Sequence, residues 1–463
     1  MTPPLFDPQD LPAPPTPAQA AQSMLPGKPR LRVPQRDQIQ FRWASLDQLL
    51  DPDHPVRTVW AAVCALDLSG WLHEIKAVEG HVGRDATDPR LLVALWVYAT
   101  LKGIASAREL DRLCGPDGSL PFQWLCGGVT VNYSMLARFR STGGSKWDDL
   151  LTHIVATLMN AGLVSLDRVA QDGMKVRAHA GSSSFHRQGS LEEALEAARQ
   201  QVQTLKSLAE QEDSPTAGEG PRRTPAQRAA QERAARERQQ RIEEAMGQCA
   251  ELQGQREATA KQSGRKVPEA RASTTDPTAR NMKMADGGTR PGYNLQFASD
   301  TASGVIAGVE LNNEGTDGGQ LPPMLDQLEE RYEHVPDEAL VDGGFATIDT
   351  IEQAAGRGTT VYAPLKGQKK QEEQGKDPYA RKKGDSDAVA NWRSRMGTEE
   401  AKKTYRQRGQ TAEWVNAQCR NRGLWQMPVR GQPRCRIIAL LYAIAHNLVV
   451  GARLRAEVAL KAV

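Results

Sequence analysis

Apolar positions recur at helical spacing through the first third of the chain and shift toward strand-like runs after residue 165. Pro55-Val56-Arg57-Thr58 opens a helix through Leu66. Pro89 stands at a helix start, and Leu91, Leu92, Leu95, Trp96, Tyr98 and Leu101 give that helix a broad apolar face. Ser106 caps a third helix through Leu113, Thr130 or Asn132 caps a fourth through Phe139, and Trp147 to Met159 forms a fifth. These predict a helical domain over 37–165. Arg168-Val169-Ala170-Gln171-Asp172 then reads as a strand. Tyr293–Ser299 and Gly304–Leu311 read as a hairpin about the turn Asp300-Thr301-Ala302-Ser303. Pro322–Tyr332 is a predicted helix, Glu338–Val341 and Thr359–Pro364 are predicted strands, and 402–420 and Ile437–Leu454 are predicted helices. An α/β core over 166–455 follows.

Three stretches break this pattern. Residues 1–36 are rich in Pro, Ala and Gln and read as a disordered tail. Residues 187–275 are helical in pattern but strongly charged, with a break at Ser214-Pro215-Thr216-Ala217-Gly218. Without a sustained apolar a/d seam, they predict a peripheral helical hairpin inserted into the core. Residues 366–400 are lysine-rich and read as a mobile loop.

At 463 residues the chain has room for about three domains. Ile437–Val450 is too short to span a bilayer and contains His446 and Asn447, so it reads as a buried helix, with no membrane expected. No secretory signal is visible in the opening MTPPLFDPQDLPAPP. The six cysteines form no C-x-x-C pair, which argues against a disulfide scaffold or zinc site and fits a cytoplasmic protein. Net charge is only +3, but twelve lysines and arginines face just Glu413 and Glu457 between residues 401 and 463. That basic end is a footprint for a polyanion, against the plainer reading of a solvated helix.

Three acids stand apart from the surface charge. Asp172 follows the apolar run Val169-Ala170 and precedes Gly173; Asp342 follows Ala339-Leu340-Val341 and precedes Gly343-Gly344. Each is an Asp at a strand end beside small residues, where the alternative is a simple turn residue. Glu413 is the only acid between Glu400 and Glu457. Three carboxylates can hold two Mg²⁺ ions, which suits phosphodiester displacement. Lys175 and Arg177, alternating just past Asp172, are candidate DNA contacts, against a reading as surface charge. Arg138 and Arg140 end a helix that a helix-turn-helix reader could use. His446 reads as a satisfied core histidine. Trp414 and Trp425 read as core packing or as stacking surfaces for an unpaired base.

The blocks Val169–Ala178, Gly292-Tyr293-Asn294-Leu295-Gln296, Leu340–Phe345, Tyr405–Glu413 with Asn416-Ala417, Arg420-Asn421-Arg422-Gly423 and Ala445-His446-Asn447 occur in an order and spacing that resembles bacterial insertion-sequence transposases of the Asp-Asp-Glu (DDE) class. The nearest subgroup carries a helical N-terminal domain, and the resemblance covers roughly residues 35–455. It implies a ribonuclease-H-like fold: an α/β mixed sheet flanked by helices, preceded by an all-helical, DNA-end-binding domain and interrupted by the charged insertion. It also implies a DNA transposase that binds inverted-repeat ends, cleaves with two Mg²⁺ (or Mn²⁺) ions and joins the 3′-hydroxyl ends to target DNA. Asp172, Asp342 and Glu413 become the metal-binding catalytic triad, with Tyr405, Arg408, Arg420 and Arg422 on DNA. The expected partners are double-stranded DNA and further copies of the chain, a homodimer or higher, in the cytoplasm on the nucleoid. Many relatives read Tyr, two residues, Arg, three residues, Glu, six residues, Lys. Here four residues separate Arg408 from Glu413, which on a regular helix turns Arg408 about 100° from its usual direction, and Arg420 replaces the Lys. The rival readings are a nuclease of this fold that cuts without joining, a DNA-binding protein with an idle core, and a scaffold assembled through the charged helices.

Overall fold

Capping chemistry decides where the first helices begin. The computed structural model describes residues 44–77, 85–212, 224–263 and 267–461; the expected tail over 1–36 and the break at Ser214–Gly218 lie outside these residues. His54 accepts from Val56 N at the start of α1 (Pro55–Cys64), and Asp88 accepts from Arg90 N at the start of α2 (Pro89–Leu101). Ser106 caps α3 (Ala107–Cys114). A seven-residue helix α4 (Leu120–Cys126), ended by Gly127 at φ +52°, follows; it is too short to show a helical period in the sequence. Asn132, not Thr130, caps α5 (Tyr133–Thr142) by accepting from Met135 N. The next helix is α6 (Lys146–Asn160). Helix α2 is buried on all sides from Leu91 to Thr100, which explains why its apolar face was so broad. Each of its large side chains contributes about 1.5–3 kcal/mol by leaving water. Trp71, Phe139 and Trp147 pack ring against ring at 5.3–5.8 Å.

The chain then enters a mixed sheet. Its strands are β1 (Arg168–Arg177), β4 (Arg280–Lys283), β5 (Thr289–Asp300), β6 (Ile306–Asn312), β7 (Glu338–Leu340) and β8 (Thr360–Tyr362). The order is β4-β5-β1-β7-β8, with β6 also on β5. β1 runs antiparallel to β5 and parallel to β7, and β7 runs parallel to β8. This is the ribonuclease-H-like arrangement that the resemblance implies. One face is covered by α9 (Leu321–Tyr332), whose Met324 fills the place a side chain on Gly308 would need. Helix α10 (Ile348–Gly356) lies between β7 and β8. The stretch 366–400 contains two helices, α11 (Gln368–Glu373) and α12 (Asp387–Met396). α12 is anchored, since Trp392 Nε1 donates to Ala363 O at 3.1 Å and Val389 is fully buried. Its larger apolar residues, Val389, Trp392 and Met396, are all buried.

Helix α15 (Gln432–Lys461) is long and apolar enough to cross a membrane by length and composition, but it is the central helix here, buried from Ile437 to Asn447. Its polar pair explains the burial. Asn447 accepts from Ile306 N at 2.8 Å and donates to Ile306 O at 2.7 Å, continuing the β6 hydrogen bonding, and His446 Nε2 donates to Gly304 O at 2.9 Å. Asp148 of α6 binds Arg331 and Arg436, fastening the helical region to α9 and α15. A single hydrophobic core runs from Leu50 through Val450.

The insertion is α7 (Gln188–Glu212) and α8 (Pro225–Ser263), packed antiparallel. It has a small seam after all: Leu191, Leu195, Ala198 and Val202, spaced by four, three and four, are buried, as are Ala235, Ile242, Ala245 and Cys249 on α8. Alanines and a cysteine supply much of it, so it was invisible among the charges. Two short strands, β2 (Phe185–His186) and β3 (Ala272–Ser273), pair at its root.

Candidate active site

The parallel pairing of β1 and β7 matches Ala170 with Leu340 and then ends. Asp172 follows two residues on within β1 and Asp342 two residues past the end of β7, near enough that the Asp342 charge acts on the Asp172 carboxyl. Past Leu340 the backbone turns. Gly344 N donates to Asp342 Oδ1 at 2.6 Å, and a Cβ on Gly344 would lie 2.7 Å from that oxygen, so a larger residue there would push on the Asp342 carboxylate. Gly173 is equally constrained: a Cβ there would lie 2.3 Å from Asp317 Oδ1 on the opposite face.

Glu413 comes from across the sheet. Helix α13 (Glu399–Arg408) passes into a π-helical turn, Gly409–Glu413, and continues as α14 (Trp414–Asn421). The π turn absorbs the additional residue between Arg408 and Glu413. A turn closing i to i+5 brings both side chains to the same side, as i to i+4 does on an α-helix. The expected 100° rotation of Arg408 is therefore absent. Arg408 Nη2 donates to Asp172 Oδ1 at 2.9 Å, and its Nη1 reaches Glu413 Oε1 at 3.3 Å.

Asp172 is held on both oxygens, since Asn416 Nδ2 donates to Oδ2 at 2.9 Å. Asn416 was not singled out as a site residue, although it sits one turn after Glu413 and carries the only signal available, its place in the matching block. The Asp172 side chain is 17% exposed and that of Glu413 64%. Burial pushes the Asp172 carboxyl above its ordinary value; Arg408 opposes this and Asp342 adds to it. Burial works against the Arg408 charge, but Asp172, Tyr405 and Asp342 outweigh it and its pKa rises. Tyr405 is half-buried beside the same groups; burial raises its pKa, and all three carboxylates add to the rise.

Other expected DNA contacts divide. Lys175 is three residues from Asp172, so strand alternation turns it to the opposite face. There its side chain is 15% exposed and paired with Asp317 at 3.0 Å, and Asp317 also accepts from Asn294 and Gln296. Lys175 is thus part of the buried polar layer behind the site. Arg177 is exposed at the far end of β1, on the face opposite Asp172. Arg420 lies two helical turns from Glu413 on the same side of α14, its guanidinium 5.6 Å from the centre of the Trp425 ring. Arg422 is half-buried, and its Nη1 is enclosed without a hydrogen-bond partner among the described residues. Trp425 is 57% exposed, whereas Trp414 packs against His446 at 5.2 Å. Arg140 is buried over Trp96 and donates to Ala105 O, leaving Arg138 as the exposed cation of α5.

Asp172, Asp342 and Glu413 are oxygen donors only, the set a hard divalent cation takes. No three His, Cys, Asp or Glu side chains are drawn together tightly enough to hold a metal among the described residues. The guanidinium of Arg408 lies between Asp172 and Glu413 and supplies a positive charge there. The donor chemistry fits a divalent ion, provided Arg408 withdraws.

Residues 264–448 match the family described as transposase DDE domain, and residues 44–142 match one described as transposase domain (DUF772). The first match contains Asp342 and Glu413; Asp172 precedes it, on the far side of the insertion. No protein of curated function and no solved structure matches the chain.

Proposed function

The chain belongs to the insertion-sequence transposases of the DDE class, and from that membership we propose that it binds the inverted-repeat ends of its own element, cuts them with a divalent metal and joins the 3′-hydroxyls to target DNA. The observation that carries this reading is the gathering of the three carboxylates: Arg408 contacts both Asp172 and Glu413, and the Asp342 charge acts on Asp172. Asp172, Asp342 and Glu413 would hold the Mg²⁺ or Mn²⁺ ions. Bound there, such ions activate a water or 3′-hydroxyl and stabilise the leaving oxygen.

The chain's own groups prepare this chemistry. Asn416 fixes one oxygen of Asp172, and Gly344 N fixes one oxygen of Asp342. Arg420, on the Glu413 side of α14, would bind the phosphate that follows the scissile one, and Tyr405 would border the strand. The helical region matched over 44–142 would hold the DNA end, with Arg138 exposed on α5.

Asp172→Asn, Asp342→Asn and Glu413→Gln should each abolish strand cleavage of an end-containing duplex in Mg²⁺ while still binding that duplex. Cleavage surviving in any two of them would defeat the triad. Cleavage without joining to a target plasmid in the wild type would select the nuclease reading instead.

A further inference from the structure

One cation beside the carboxylates belongs to the chain itself. Arg408 contacts Asp172 at 2.9 Å and Glu413 at 3.3 Å, with its side chain only 12% exposed. Its Nε is enclosed without a hydrogen-bond partner among the described residues. So the residue has exchanged water for two carboxylates. The arrangement depends on the four-residue spacing and the π turn, which put Arg408 and Glu413 on one side. With that spacing on an unbroken α-helix, the two would point apart.

We infer that Arg408 is the resident counter-ion of the metal-free site: it holds Asp172 and Glu413 until a divalent cation takes them, and it is then released toward a DNA phosphate. This rests on Asp172, Asp342 and Glu413 being the metal ligands. One Asp172 oxygen cannot accept from a guanidinium wedged against Glu413 while both carboxylates close on a metal ion. Carboxylates and phosphate therefore compete for the same arginine. A phosphate that draws Arg408 away frees the carboxylates, and a metal ion that displaces Arg408 offers it to phosphate. Each ligand then raises the affinity of the other by the same factor. The site would stay closed to metal until DNA arrives.

A role in merely orienting Asp172 makes the opposite prediction, because loss of the arginine would then weaken metal binding. The test is Mn²⁺ titration of the full chain, read as free Mn²⁺ by electron paramagnetic resonance. Without DNA, Arg408→Gln should bind Mn²⁺ about tenfold tighter than wild type. A short blunt duplex of arbitrary sequence, with Mn²⁺ bound to DNA alone subtracted, should tighten binding by the wild type about tenfold and by Arg408→Gln little. A folded Arg408→Gln that binds Mn²⁺ equally or more weakly overturns the inference. If that variant does not fold, Arg408→Lys decides; it keeps the charge but loses the fork, and must bind tighter than wild type. Asp342→Asn separates the two levels. If it binds Mn²⁺ like wild type, the metal-ligand reading itself fails. If it loses Mn²⁺ while Arg408→Gln is unchanged, only the counter-ion role fails.

Discussion

His446 shows how much a single buried side chain can reveal. Its Nε2 donates to Gly304 O, Trp414 stacks against its ring edge, and burial pushes its pKa down to about 4. Arg422 and Arg453 nearby further disfavour a second proton. In the unfolded chain the ring titrates near pH 6.5. Between these values the unfolded state binds a proton that the folded state refuses, so stability falls as pH drops from about 6.5 to about 4. The loss amounts to about 3 kcal/mol. His446→Gln keeps a donor for Gly304 O but cannot titrate. Denaturant unfolding at pH 7.5 and pH 4 should therefore show wild type losing about 3 kcal/mol more than the variant. Parallel losses would mean that His446 is protonated in the folded chain. The histidine was readable in sequence as a core residue, because an apolar run surrounds it. Its partner was not, since Gly304 lies 142 residues away.

At the scale of elements, spacing rules read from a one-dimensional motif fail where the helix itself changes pitch. Arg408-x₄-Glu413 implied a misdirected arginine; the π turn restores its direction. Deleting exposed Gln410 should convert the turn to regular α-helix without changing the phase of α13 relative to α14. The deletion variant should fold, with duplex affinity within about threefold of wild type. If it unfolds, or loses duplex binding, the π turn itself positions the site. The insertion makes a second case. β2 and β3 pair at its root, and Ser184 Oγ and Ser273 Oγ lie 2.7 Å apart. This separate two-stranded pair brings the two ends of the insertion together. Replacing 188–271 by a short Gly/Ser linker should leave a soluble protein with a cooperative thermal transition. Aggregation of that variant would place α7 and α8 in the core. The first protease cut, expected between Gln211 and Arg228, falls at a junction that includes residues outside those described.

Across the whole molecule, the strands leading to Asp172 and Asp342 and the central helix were legible because each is a local apolar run, but Asp172, read as a strand end, lies in the middle of β1, whose pairing with β5 continues to Arg177. Short elements such as α4, α10 and β4 were not legible, because their stability comes from tertiary packing that a local period does not encode. The basic C-terminal segment was legible as charge but not as use. Arg408 is committed to Asp172 and Glu413, Arg436 to Asp148 and Glu310, and Arg453 to Glu457. Arg422 is half-buried behind α14, and burial lowers its pKa. The polyanion footprint is therefore smaller than the sequence count implies, and it should be read on residues that remain in solvent. Lys403, Arg406, Arg430 and Arg434 do, and Arg420, although half-buried, lies on the Glu413 side of α14 beside exposed Trp425. Each phosphate contact contributes about 0.9 to the slope of log K against log salt. Arg420→Gln should lower that slope by about one unit, measured by fluorescence anisotropy on a labelled duplex across a salt series. Adding Arg422→Gln should lower it no further, although sequence alone assigns both arginines to phosphate. A fall of two units in the double variant would show that Arg422 leaves its enclosed position to reach DNA, and an unchanged slope in Arg420→Gln would remove α14 from the DNA-binding surface.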